Sequence, residues 1–147
     1  MNIKMLKEEN KRILYGIVCC IDIILLNIYI CGENTKKDLF FMELIFITHS
    51  IFFISLKKNE DFYIDMCHII MFLSIFVVFW LNSYKLQLLI LLLLCVIQVL
   101  WVVKGYCIMN TRRNPIGRIY QKLFTVSCFL FTIMLSFYLG RRRELDF

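Results

Sequence analysis

Long apolar runs separated by short polar connections make up most of the chain. The runs are about 18–22 residues long and are rich in Ile, Leu, Phe and Val. A helix rises about 1.5 Å per residue, so each run is long enough to cross roughly 30 Å of hydrocarbon. The pattern therefore predicts an all-α polytopic membrane bundle of five transmembrane helices. They cover residues 13–31, 39–56, 62–81, 86–103 and 119–140.

A bundle of four spans is the alternative, because two of the runs fit the pattern less well. The second run carries Glu43 and His49 and is the weakest span. The last run follows the longest connection, 104–118, which holds the chain's one proline, Pro115. A helix should end before that proline, because proline disfavours helical conformation in the residue before it. A re-entrant last run would return the C-terminus to the side of the N-terminus.

The parts of the chain outside the apolar region are polar and short. Residues 1–12 form a charged N-terminal segment, 13–140 the transmembrane bundle, and 141–147 a charged C-terminal tail. The first run is longer than the apolar core of a usual secretion signal and has no small-residue cleavage site after it, so we interpret it as a retained span. Apart from 104–118, the three connections between the runs are short, so neighbouring spans should be antiparallel.

Composition places the chain in the membrane class. Hydrophobic residues make up 61% of it and the mean hydropathy is +0.74. Soluble domains are about 45–50% apolar, so this excess is too large to hide in a water-facing core. The lipid bilayer is therefore the first expected partner.

The net charge of +6 gives an orientation when it is read by position. With five spans, ten Lys and Arg residues fall on the N-terminal side and six on the other side. Cytoplasmic loops carry the excess of positive charge, which predicts a cytoplasmic N-terminus in a membrane that the sequence does not identify. The triple arginine 141–143 lies on the disfavoured side. The basic residues flank apolar runs and form no nucleic-acid patch, so no nucleic-acid partner is expected.

Known reaction motifs are missing from the sequence. The seven cysteines include no Cys-x-x-Cys pair, which disfavours a thiol oxidoreductase or zinc knuckle. The chain also lacks His-Glu-x-x-His, Gly-x-Ser-x-Gly, a phosphate loop and a potassium-filter sequence. We therefore expect no cofactor, and an enzyme is less favoured than a transport or structural role.

Ionisable and amide side chains inside the apolar runs are the candidate functional residues. Charged groups in a membrane interior are costly and are a functional hypothesis by default. Both histidines lie in one predicted hairpin, about ten residues from its turn, and an aspartate lies one turn before the second of them. Another aspartate lies near the middle of the first span. The candidates for a transport or proton-relay path are Asp22, Glu43, His49, Asp65, His68 and Gln98.

Two further interpretations of these residues remain open. The polar groups could join helices without moving anything, because hydrogen bonds between membrane helices are common and weak. His49, Asp65 and His68 are also a weak candidate set for a metal, having ligand types that zinc accepts. The sequence thus predicts a small proton or cation carrier or channel-like protein. The alternative is a non-catalytic structural or adaptor subunit that binds other membrane proteins or itself.

Overall fold

The computed structural model describes residues 8–105 and 115–145, with side chains given except at Asp61, Asp65, His68, 115–125 and 143–145. Almost all described residues are helical. The elements are α1 (Glu8–Cys31), α2 (Lys36–Lys58), α3 (Asp61–Val77) with a 3₁₀ turn (Val78–Trp80), α4 (Tyr84–Lys104) and α5 (Pro115–Leu145).

The helices follow the predicted runs and extend past several of their ends. α1 begins at Glu8, inside the predicted polar segment, because the residues before the first run are good helix formers. Its two N-terminal glutamates also suit the positive end of the helix dipole. α5 continues to Leu145, into the charged tail. α4 ends at Lys104, and α5 is described from Pro115 onward.

Local capping determines where two of the helices, α2 and α4, begin and end. Thr35 and Asp38 form a capping box at the start of α2, and Asn59 ends that helix in the left-handed conformation with φ of 59°. Ser83 caps the start of α4, and Gly105 ends it with φ of 70°. These turns are tight, so consecutive helices α1 to α4 run antiparallel, as predicted.

The five helices pack as a ring around a common core. α1 packs against α2 and α4, α2 packs against α3, and α4 packs against α5. Aromatic contacts close the ring between α3 and α5: the ring centroids of Phe76 and Phe131 are 4.6 Å apart, and those of Phe79 and Tyr138 are 5.6 Å apart. The order around the ring is therefore α1, α2, α3, α5, α4.

Polar contacts at both ends of the bundle fix the direction of α4 and α5. At one end, Lys104 Nζ lies 2.6 Å from Glu9 Oε1. At the other end, Arg142 near the end of α5 donates to Gln87 Oε1 at 2.8 Å and to the Asn82 carbonyl at 2.5 Å. α5 is thus antiparallel to α4 and returns to the level of the N-terminus of α4.

The outer surface of the bundle is strongly apolar. Ile23, Phe40, Val102 and Phe137 are 69%, 68%, 77% and 75% exposed. Soluble monomers rarely expose large continuous apolar patches. Within the described part of the chain, four helices are long and apolar enough to cross a membrane: α1, α2, Phe62–Trp80 and α4.

Candidate functional site

Three polar side chains at seven-residue spacing on α1 face α2. Seven residues are close to two helical turns, so positions 15, 22 and 29 share one face of α1. Tyr15 Oη donates to the Phe53 carbonyl at 3.3 Å, and Tyr29 Oη donates to Glu43 Oε1 at 3.3 Å. Asp22 lies between these two contacts. We call this row of contacts the polar seam: Tyr15, Asp22 and Tyr29 of α1 with Glu43, His49 and the Phe53 carbonyl of α2.

The closest contact in the polar seam joins Asp22 to His49. Asp22 Oδ1 lies 2.5 Å from His49 Nδ1, and neither side chain makes another hydrogen bond to the described residues. The Asp22 side chain keeps 26% of its exposure and that of His49 keeps 15%. When Nδ1 carries the hydrogen, it donates to the carboxylate, and Nε2 of the neutral ring is then an acceptor. A carboxylate in an apolar layer needs such a partner.

The end of the polar seam nearest the N-terminus carries a further interhelical contact. Lys11 Nζ donates to Asn59 Oδ1 at the C-terminus of α2 and to Glu8 Oε1, which lies 2.6 Å away. Polar groups therefore join α1 to α2 along the whole length of the helix pair. About 10 Å separates the successive seam positions on α1, because each step is seven residues.

The other predicted site residues take different positions. Glu43 is exposed and belongs to the polar seam through Tyr29. Gln98 lies on α4, where its Nε2 donates to Thr132 Oγ1 at 2.5 Å and to the Cys128 carbonyl at 3.2 Å, both on α5. Gln98 therefore joins a different helix pair.

The backbones of His49 and His68 lie at a similar level of the α2–α3 hairpin. Cys67 Sγ lies 3.7 Å from the Thr48 carbonyl oxygen, which puts the two neighbouring histidine positions side by side along the helix pair. The side chains of Asp65 and His68 lie outside the described residues, so their predicted roles stay predictions. Among the side chains that are described, no three of His, Cys, Asp and Glu are grouped closely enough to hold a metal ion.

An apolar cavity of about 120 Å³ lies inside the ring between α1, α2, α3 and α4. Its described lining is mainly aliphatic and aromatic, and Thr48, His49, Cys67 and Ser74 are its polar contributors. Apolar cavities of this size stay dry. The cavity therefore favours packing or apolar occupants over a column of water.

A second polar cluster, which the sequence did not predict, lies at the end of the bundle opposite the N-terminus. Asp38 is fully buried and accepts hydrogen bonds from the Thr35 hydroxyl (2.7 Å) and from the backbone N–H groups of Thr35 (3.0 Å), Asn82 (2.9 Å) and Ser83 (3.2 Å). Gln87 is also fully buried and donates to the Val78 and Leu81 carbonyls. The sequence signal for Asp38 was the Thr-x-x-Asp spacing before an apolar run. No local signal pointed to its contacts with the α3–α4 connection.

In comparisons with known proteins, no family model, no curated protein and no solved structure matches this chain. Function is therefore inferred from geometry and chemistry alone.

Proposed function

We propose that the protein is an integral membrane protein that crosses the bilayer five times, with its N-terminus in the cytoplasm. The apolar outer surface and the four long apolar helices support insertion. Support for a fifth crossing comes from α5, which runs antiparallel to α4 and contains the uncharged stretch 123–140. The excess of Lys and Arg on the N-terminal side supports the orientation.

Within the membrane, we propose a non-catalytic structural or adaptor role in which the polar seam binds a transmembrane helix of another subunit. One observation carries this proposal: Asp22, near the middle of α1, keeps 26% exposure at the edge of the bundle. A charged carboxylate at mid-membrane costs about 2.5–3.5 kcal/mol. A helix packed over the seam would shield it from lipid and offer it hydrogen-bond donors.

Photo-crosslinking from the flank of the polar seam tests the adaptor role. Leu26 is one turn from Asp22 and 51% exposed, so benzoylphenylalanine placed there should crosslink to a covering helix. The matched control is the same photoreactive residue at Phe137 on α5, which is 75% exposed. We expect a crosslinked product from position 26 that is much weaker from position 137. Its mass separates a second copy from a different protein, and equal yields at both positions would contradict the proposal.

A second candidate function is a proton or cation carrier that uses Asp22 and His49. The 2.5 Å contact between their side chains favours it, because a shared proton can move between a carboxylate and an imidazole. The apolar cavity and the position of Gln98 on a different helix pair from Asp22 and His49 favour a carrier less.

The variant His49→Gln separates the two functions. Glutamine keeps a donor for Asp22 but does not titrate, so an adaptor should tolerate it and a carrier should lose flux. Asp22→Asn and His49→Ala should also abolish flux in vesicles that contain a pH-sensitive dye. Absence of flux in the wild-type protein, or unchanged flux in these variants, would discard the carrier.

A further inference from the structure

The outer surface between α1 and α4 has an apolar groove, and Arg12 is the one cation among its described lining residues. The groove encloses about 380 Å³. On α1 it begins at Arg12 and runs past Gly16 and Cys20 to Ile24. Arg12 is exposed and makes no ion pair with the described residues. Its neighbour Lys11, in contrast, is buried and already bonded to Glu8 and Asn59.

We propose that this groove binds one acyl chain of a phospholipid whose phosphate is held by Arg12. The proposal rests on the proposed membrane insertion and is independent of partner binding at the polar seam, which lies on the other flank of α1. Twelve residues separate Arg12 from Ile24, which is about 18 Å along the helix. Half of a hydrocarbon core of about 30 Å is roughly 15 Å, so a headgroup at Arg12 allows one chain to follow the groove through its own leaflet.

The shape of the groove favours a lipid chain over a protein helix. A protein helix is about 10 Å wide, so only one of its faces could enter a groove of about 380 Å³. An acyl chain is much narrower. The combination of an apolar path with one terminal cation also matches an amphiphile with an anionic head.

The floor of the groove is formed by aliphatic side chains against which an acyl chain can pack. Ile17, Ile21, Leu89 and Leu93 line both the groove and the interior cavity, so one layer of aliphatic side chains separates the two spaces. Gly16 leaves open space in the groove one helical turn from Arg12, because a Cβ built there meets nothing within 4 Å. Lipid tails are as apolar as leucine, so retention of the lipid depends on close packing in the groove and on the headgroup contact.

Filling the groove tests the proposal without disturbing the core. Gly16→Leu places a side chain in the open space and replaces glycine with a better helix former, so the fold should be retained. The matched control is Gly140→Leu on α5, where a Cβ also meets nothing within 4 Å. Val96→Phe fills the groove from α4 as an independent second variant.

The measurement is native mass spectrometry of the full chain in mild detergent with palmitoyl-oleoyl phosphatidylglycerol. We expect one bound lipid on the wild type and on Gly140→Leu, and at least a tenfold loss of occupancy on Gly16→Leu and Val96→Phe. Lipid retained by both groove variants, or lost equally from Gly140→Leu, would overturn the proposal.

Two arginine substitutions, one in the groove and one on α5, test the contact between the lipid headgroup and Arg12. Arg12→Gln should weaken phosphatidylglycerol binding about fivefold, whereas the exposed Arg141→Gln should not. Equal effects of the two changes would overturn the assignment of the phosphate to Arg12. Wild-type protein that sodium carbonate releases from membranes would overturn insertion and the lipid site together. Carbonate-resistant protein that binds no lipid would overturn the lipid site alone.

Discussion

Asp38 is a buried carboxylate whose hydrogen bonds join two parts of the chain that are distant in sequence. It caps its own helix through Thr35 and also accepts from the backbone of Asn82 and Ser83. Removing the carboxylate leaves the buried N–H of Ser83 and the partly buried N–H groups of Thr35 and Asn82 without this acceptor. An unsatisfied buried donor costs more than a lost surface contact. Its importance therefore comes from the number of donors that it satisfies.

We predict that Asp38→Ala lowers the free energy of unfolding by about 1.5–3 kcal/mol, the range for hydrogen bonds to a charged group. Reversible unfolding by dodecyl sulfate in mixed micelles measures it. The neighbouring Lys37 is exposed, so Lys37→Ala is the control and should change the free energy by less than about 0.5 kcal/mol. Equal losses for the two variants would contradict the capping role.

At the scale of the helices, the ends depend on backbone conformation as much as on side chains. Gly105 stops α4 with φ of 70° and donates its N–H to the Trp101 carbonyl at 2.8 Å. Glycine adopts this left-handed conformation without strain, whereas most other residues, with asparagine and aspartate as the exceptions, bring Cβ close to a carbonyl oxygen. Gly140 lies within α5, where glycine is a poor helix former.

The two glycines give a paired prediction for substitution by alanine. Gly105→Ala should destabilise the protein by about 1–2 kcal/mol, the cost of a left-handed non-glycine residue. Gly140→Ala should stabilise it by about 0.5–1 kcal/mol through reduced chain entropy. A Cβ meets nothing within 4 Å at either position, so backbone conformation alone should account for the difference. The same micellar unfolding assay measures both, and changes of the same sign would show that the conformational argument is wrong.

At the scale of the whole molecule, the number of crossings decides which ends share a compartment. The contact of Arg142 with Gln87 and Asn82 puts the end of α5 beside the start of α4. Cys31, which ends α1, lies at that same end of the bundle. Five crossings therefore require Cys31 and the end of α5 to face the same side of the membrane.

Single-cysteine variants labelled in intact cells with a membrane-impermeant maleimide test this topology. We expect labelling of a protein that retains only exposed Cys31 and of one with only Arg141→Cys. A protein with only Glu8→Cys should label after the membrane is permeabilised. If Arg141→Cys, like Glu8→Cys, were labelled only after permeabilisation, the result would instead support four crossings and a re-entrant α5.

The sequence predicted the helical class and the order of the helices, because both depend on local properties. Long apolar runs with short connections leave few alternatives to antiparallel helices, and four of the helices are long and apolar enough to span a membrane. The extra turns at Glu8 and near Leu145 were not predicted, because hydropathy marks the apolar stretch and a helix can continue through charged residues.

The partner of each polar side chain was decided by the tertiary structure. Sequence placed Asp22, His49 and Gln98 in apolar runs, but the rotation of each helix determines that Asp22 meets His49 while Gln98 faces Thr132. That rotation results from packing over residues far apart in the chain, as does the closure of the ring between α3 and α5. The pattern of polar and apolar residues along one helix does not determine which neighbouring helix its polar face contacts. The sequence by itself therefore determined the helices and their order, and the packed bundle decided which polar groups touch.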